Sequence, residues 1–93
     1  MVHDLKCWPQ FFGSVANGSK TFEVRRNDRP FSIGDYLRLR EWSTAEGYTG
    51  FEAVVAVTYI LGGAMFGVEP GYVVMAIRPA TKKERAELGK EGK

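Results

Sequence analysis

The sequence predicts a small α+β domain that is mainly β: a barrel of about five strands, mostly antiparallel, with one short helix early in the chain and a second at the C-terminal end. Three observations carry this. Alternating apolar and polar residues, rich in β-branched and aromatic types, recur between residues 20 and 78. The connections between these stretches are short and contain Gly, Pro, Asn and Asp, which favours antiparallel neighbours. A chain of 93 residues supplies one domain with a single modest core.

His3 to Lys6 forms a short first strand. Pro9 suits the first position of a helix, and Asn17-Gly18 suits its stop. Between them Phe11, Phe12 and Val15 share one helical face, which gives an amphipathic helix of about two turns that needs a sheet to pack on. Gly13 inside it costs up to ~1 kcal/mol relative to alanine. Thr21 to Arg26 alternates, with Thr21, Glu23 and Arg25 on one face and Phe22 and Val24 on the other. The apolar pair is expected to anchor the core while the charged set lines the opposite face.

Asn27-Asp28-Arg29-Pro30 is a turn, and Gly34-Asp35 leads into the strand Tyr36 to Trp42. There Leu37 and Leu39 face inward, with Tyr36, Arg38, Arg40 and Trp42 on the other side. Residues 43–50 make a hairpin connection to Phe51–Leu61, which is apolar on both faces and so is expected to be central. Gly62-Gly63 ends that strand, Glu69-Pro70-Gly71 turns the chain, and Tyr72 to Arg78 closes the sheet. Phe11, Phe12, Phe22 and Phe51 are all expected in the core. Thr81-Lys82-Lys83-Glu84 has the form of a capping box, starting about two helical turns before a flexible tail at residues 89–93. The chain therefore divides into a domain over 1–79 and a short helix with a basic tail over 80–93.

Composition limits the function classes. No apolar run approaches the roughly 20 residues that span a bilayer, and the N-terminus lacks a signal-like segment, so the expected compartment is cytoplasmic. The single cysteine, Cys7, allows neither an internal disulfide nor a thiolate zinc site, and no metal or cofactor is expected. Net charge is +2, all of it in residues 79–93, because residues 1–78 hold eight basic and eight acidic side chains. Such a neutral body lacks the unopposed cations for a strong, sequence-independent grip on duplex nucleic acid. Locally, Lys20, Arg25, Arg26, Arg29, Arg38 and Arg40 face only Glu23, Asp28 and Asp35, a basic flank suited to a small anionic or nucleotide ligand.

The most informative stretch is Gly18-x-Lys20-x-x-Glu23-x-Arg25, which sets a lysine, a glutamate and an arginine where a helix gives way to a strand. It resembles the G-x-K-x-x-E-x-R signature of ASCH domains, relatives of the PUA RNA-binding fold. The preceding helix, Gly34-Asp35 and the closing strand Gly71-Tyr72-Val73-Val74-Met75 resemble that superfamily in the same order. His3-Asp4-Leu5-Lys6-Cys7-Trp8, Arg26-Asn27-Asp28-Arg29 and Leu39-Arg40-Glu41-Trp42 look closer still to an ASCH-related family of unknown function in bacteria and phages. The similarity spans about residues 2–78. It implies a PUA-like barrel whose cleft, lined by the motif, binds RNA or a nucleotide, including modified bases. Some ASCH proteins are small amidohydrolases of acetylated cytidine that use a lysine, a threonine and a glutamate. Lys20 matches their lysine, but Glu23 stands where their threonine falls, and Glu69 is only a loop candidate for their glutamate.

The expected function is therefore recognition of a base, nucleotide or short single-stranded RNA by a monomer. Lys20 and Arg25 would hold phosphate or carbonyl oxygens, Glu23 would read a base edge or form a structural ion pair, and Trp8 would stack, with Arg38 and Arg40 adding cations. Trp42 and Tyr48 are further aromatic candidates. As an alternative, an amide hydrolase acting on a modified nucleoside would use Lys20 as base, with Glu23 beside it; a protein-interaction module is a third reading. His3 and Cys7 share a face of an extended segment about 13 Å apart, too far for a nucleophilic pair.

Overall fold

The computed structural model describes residues 1–91. The elements follow in the order β1 (Val2–Cys7), α1 (Pro9–Ala16), β2 (Phe22–Arg26), β3 (Tyr36–Ser43), β4 (Gly47–Gly62), β5 (Tyr72–Pro79) and α2 (Lys82–Glu91). The strands form one sheet in the order β1-β3-β4-β5-β2, curled into a half-barrel. Three pairings are antiparallel, and β1 with β3 is parallel. The sheet thus has the expected strand number and mostly antiparallel pairing. Among the described residues no helix is long and apolar enough to cross a membrane.

The strand β4 dictates the curl. Its first part, from Gly47 to Ala56, pairs with β3, and its second, from Val55 to Gly62, pairs with β5. Register shifts between Arg40 and Trp42 and between Val57 and Tyr59 bend the ladder on both sides. The concave face holds the core: Leu5, Cys7, Leu37, Leu39, Val55, Val57, Val73, Met75 and Ile77, closed over by Val15 of α1. Leu37, Leu39 and Met75 are fully buried.

Three of the four phenylalanines expected in the core, Phe11, Phe22 and Phe51, are exposed. Phe51 is 68% exposed, because residues 47–52 of β4 overhang the core as one arm of a hairpin with β3 and meet no β5 partner there. Phe22 and Val24 are about half exposed, and Glu23 between them is 4% exposed, so the predicted faces of β2 are inverted. Register explains the inversion. Glu23 pairs with Met75, and cross-strand partners share a face, so Glu23 must enter the concave side that Met75 occupies. Phe11 is likewise 43% exposed, whereas Phe12 packs against the core as expected.

At the far end of β1 lies a polar cluster that the sequence did not announce. The Nε2 of His3 lies 2.8 Å from Asp35 Oδ2, and both residues are buried. The Ser32 N–H and the N-terminal ammonium also donate to Asp35. Burial alone would raise the Asp35 pKa. The donors from His3, Ser32 and the chain terminus, with the terminal charge, outweigh it and hold the carboxyl below its ordinary value.

The capping box of α2 forms as expected, with Glu84 N–H donating to Thr81 Oγ1 and Thr81 N–H to Glu84 Oε1. The Arg78 guanidinium donates to both Glu84 oxygens, and the Tyr36 hydroxyl donates to Oε2. Led by Arg78, these contacts hold the Glu84 carboxyl well below the usual range. Leu88 is buried, so the helix is docked, and it is longer than the two turns expected. The remainder of the expected tail, residues 92–93, lies outside the described residues.

Candidate functional site

The half-barrel leaves two free strand edges, β1 and β2, and the chain closes the seam between them without a backbone ladder. The Arg25 Nη2 group donates to Lys6 O at 2.8 Å, and Arg29 Nη1 donates to Asp4 O at 3.1 Å. Alternation along β1 turns His3, Leu5 and Cys7 into the core, and the carbonyls of Asp4 and Lys6 take guanidinium donors where another strand would otherwise pair. At the α1 end of this seam is a cleft of about 360 Å³, within the usual size range of small-molecule sites.

The glycine of the motif shapes the entry to this cleft. The helix α1 ends at Ala16, and Gly18 follows with φ +82°, a left-handed position that suits glycine. A Cβ there would also touch Pro79 Cγ at 3.4 Å. The reversal is fixed by Gly18 N–H donating to Val15 O and Lys20 N–H donating to Ser14 O. Lys20 is thereby delivered to the mouth of the cleft.

Glu23 is the centre of the site. Its Oε1 accepts from Lys20 Nζ at 2.9 Å, and its Oε2 accepts from Arg25 Nε at 2.9 Å. Lys20 Nζ donates in addition to Phe22 O at 2.7 Å and lies 4.6 Å from the centroid of the Phe22 ring. One buried carboxylate thus holds two partly exposed cations, with a net charge of +1 for the three side chains. Such a group favours anionic or carbonyl-rich ligands, while Glu23 retains lone pairs that can accept an N–H.

Around this charged centre the walls are largely apolar and aromatic. Trp8 closes β1 and Phe11 stands on the first turn of α1, while Phe22 and Val24 rim the cleft from β2. Trp8 meets Trp42 edge-on at 5.6 Å, so the indole is braced while half exposed. Cys7 lines the floor. Burial pushes its thiol pKa up and the Glu23 carboxylate adds to this, against the opposing charges of Arg25 and Lys20. A thiol in such surroundings stays protonated and is a poor nucleophile. His3 is committed to Asp35, so no Cys–His pair exists.

The structure brings together Lys20, Glu23, Arg25 and Trp8 of the residues singled out from sequence. It places Arg38 and Arg40 elsewhere. Both sit on the convex face, since Leu37 and Leu39 of the same strand point inward. Arg38 is paired with Asp4 at 3.1 Å, and the Arg40 guanidinium covers the Tyr48 ring at 4.1 Å. Trp42 braces Trp8 and carries Lys6 Nζ at 4.1 Å from its ring centroid. Sequence reasoning missed Lys6, Cys7 and Phe11 as lining residues. The alternation of β1 places Cys7 inward, but only the tertiary approach of β1 to β2 puts these side chains beside the motif. Among the described residues no group of three or more His, Cys, Asp and Glu side chains is arranged to hold a metal ion.

Comparison with known proteins adds a family and one relative. The sequence model of a family described as a domain of unknown function, DUF3850, matches residues 2–77. An uncharacterized 12.9 kDa protein in the GpA 3′ region of Escherichia phage P2 is 39% identical over 41 residues. That alignment covers 44% of this chain and 38% of the phage protein.

Proposed function

The chain belongs to the DUF3850 family, and on that premise we propose that its seam cleft binds a nucleobase, presented by a nucleoside, a nucleotide or single-stranded RNA. The observation that carries this reading is the buried Glu23 carboxylate holding Lys20 and Arg25 inside an aromatic-walled cleft. Bases carry carbonyl oxygens that accept from Lys20 and Arg25, and amino or imino groups that donate to the open lone pairs of Glu23. Their flat faces suit Trp8, Phe11 and Phe22; stacking of this kind is worth about 1–3 kcal/mol per base. The resemblance of Gly18-x-Lys20-x-x-Glu23-x-Arg25 to the ASCH signature supports the same ligand class. It also supports assignment to the PUA-like superfamily.

A calorimetric panel of natural and modified nucleosides and their 5′-monophosphates tests the proposal. At least one member should bind with a stoichiometry of one, and Lys20→Ala should weaken it by tenfold or more. Absence of binding across the panel, or binding untouched by Lys20→Ala, would overturn it. Including acetylated cytidine in the panel, with product analysis, also tests amide hydrolysis: turnover abolished by Lys20→Ala would replace recognition with catalysis.

A further inference from the structure

The seam continues beyond the base cleft. A second cleft of about 340 Å³ shares Lys6 and Arg25 with the first and adds Arg26, Arg29 and Tyr48. Arg25 therefore stands as the partition between two adjoining cavities, with Nε on Glu23 and Nη2 on Lys6 O. These two bonds leave other donors of its guanidinium uncommitted. Four cations line the second cleft against Asp4 and Asp28. Asp4 is drawn off by Arg38, and Asp28 stands 4.0 Å from Arg29. Among the described residues Lys6 and Arg26 have no carboxylate within ion-pairing distance; their charged groups rest over Trp42 and Tyr72. Residues 1–78 are neutral as a whole, so this excess of cations over carboxylates on one seam is local.

We infer that the ligand is a single-stranded oligonucleotide whose recognised base enters the first cleft and whose adjoining phosphate and nucleotide run through the second, past Arg25. This rests on the base-binding reading of the first cleft and adds the second as a phosphate-binding subsite. The physical case is continuity and charge. A free nucleoside would leave Lys6 and Arg26 without an anionic partner, whereas a strand passes phosphates along the second cleft and can set a base on Tyr48.

The test compares the best-binding nucleoside with RNA and DNA hexamers containing it, at several salt concentrations. A hexamer should bind at least tenfold more tightly than the nucleoside. Its log affinity should fall with log salt at a slope of about −2, as expected for roughly three phosphate contacts on a single strand. Arg26→Ala/Arg29→Ala should reduce that slope by about 1.4 and bring the hexamer affinity towards the nucleoside value; Arg26→Ala, which keeps the Arg29–Asp4 seam bond, should leave nucleoside affinity within twofold. Arg26→Ala alone, at an exposed side chain, should give about half the slope change and guards against a folding defect. A preference between RNA and DNA identifies the strand the seam accepts, and supports the inference either way. Nucleoside binding without a hexamer gain, or a hexamer affinity indifferent to both variants, overturns this inference alone. Wild-type protein that binds neither ligand overturns the base-binding reading with it.

Discussion

Replacing Glu23 by glutamine keeps the side chain's shape and removes its charge, which isolates the interaction at the centre of the seam. In the wild type both carboxylate oxygens accept from cations at 2.9 Å. The amide can accept on one side only, so its NH2 group must confront either Lys20 or Arg25. Hydrogen bonds to charged groups contribute about 1.5–3 kcal/mol each, and one is lost while the other weakens. The Lys20 and Arg25 side chains are 18% and 24% exposed, so water recovers part of their solvation. A net loss of about 2–4 kcal/mol follows. At roughly 4–8 °C per kcal/mol for a domain of this size, Tm should fall by about 8–32 °C.

Urea denaturation measures the free-energy loss directly, and an unchanged m value would show that the unfolded state is unaltered. A cycle with Lys20→Met separates the pair from the background. Lys20→Met alone should cost less than Glu23→Gln, because Glu23 keeps Arg25, and the two changes should be non-additive by about 1 kcal/mol or more. A Glu23→Gln loss below about 0.5 kcal/mol, or strict additivity, would refute the claim that this carboxylate holds the seam's cations in place.

Three further outcomes are expected. Asp35 has a folded pKa below its unfolded value of about 3.9, so its stabilising effect is complete above that pH and disappears as pH falls through the folded value. Asp35→Asn should therefore lower stability at neutral pH and flatten the acid limb of a stability–pH profile; a parallel downward shift of the whole profile would contradict it. A Cβ at Gly63 would lie 2.6 Å from Glu69 O and 2.7 Å from Tyr72 O, both backbone atoms, so Gly63→Ala should cost about 1–3 kcal/mol in urea denaturation. Fully buried Leu37 and 68%-exposed Phe51 should separate sharply: Leu37→Ala should cost about 2–5 kcal/mol, and Phe51→Ser should stay within about 0.5 kcal/mol, which thermal melts of the two variants would check.

Much of the fold was legible because local signals and tertiary packing agree. Pro9, Asn17-Gly18 and the Thr81–Glu84 box bound the helices, and Leu37 and Leu39 face inward as their alternation requires. Parity on an edge strand was not legible locally. Phe22 and Val24 are the more apolar pair, yet pairing of Glu23 with Met75 turns the carboxylate inward, and its two cationic partners make that burial tolerable. Phe51 was misread because periodicity does not reveal where a long strand outruns its neighbour. At the site, the spacing of Lys20, Glu23 and Arg25 pointed to a convergent group, since all three lie within one strand and its approach. Arg38 and Arg40 share no such proximity, and the face that carries Leu37 and Leu39 inward sends them out. Lys6 and Cys7 join the cleft only through the seam between β1 and β2, a contact that no local pattern encodes.

The most direct measurement is a backbone amide NMR titration of the labelled protein with the tightest-binding member of the nucleoside panel. The largest shifts should fall on Lys6, Cys7, Trp8 and Phe11 and on residues 20–25, which together surround the first cleft. Shifts centred on Arg38 and Arg40 of the convex face, or on the 63–71 loop, with the first cleft silent, would contradict the account.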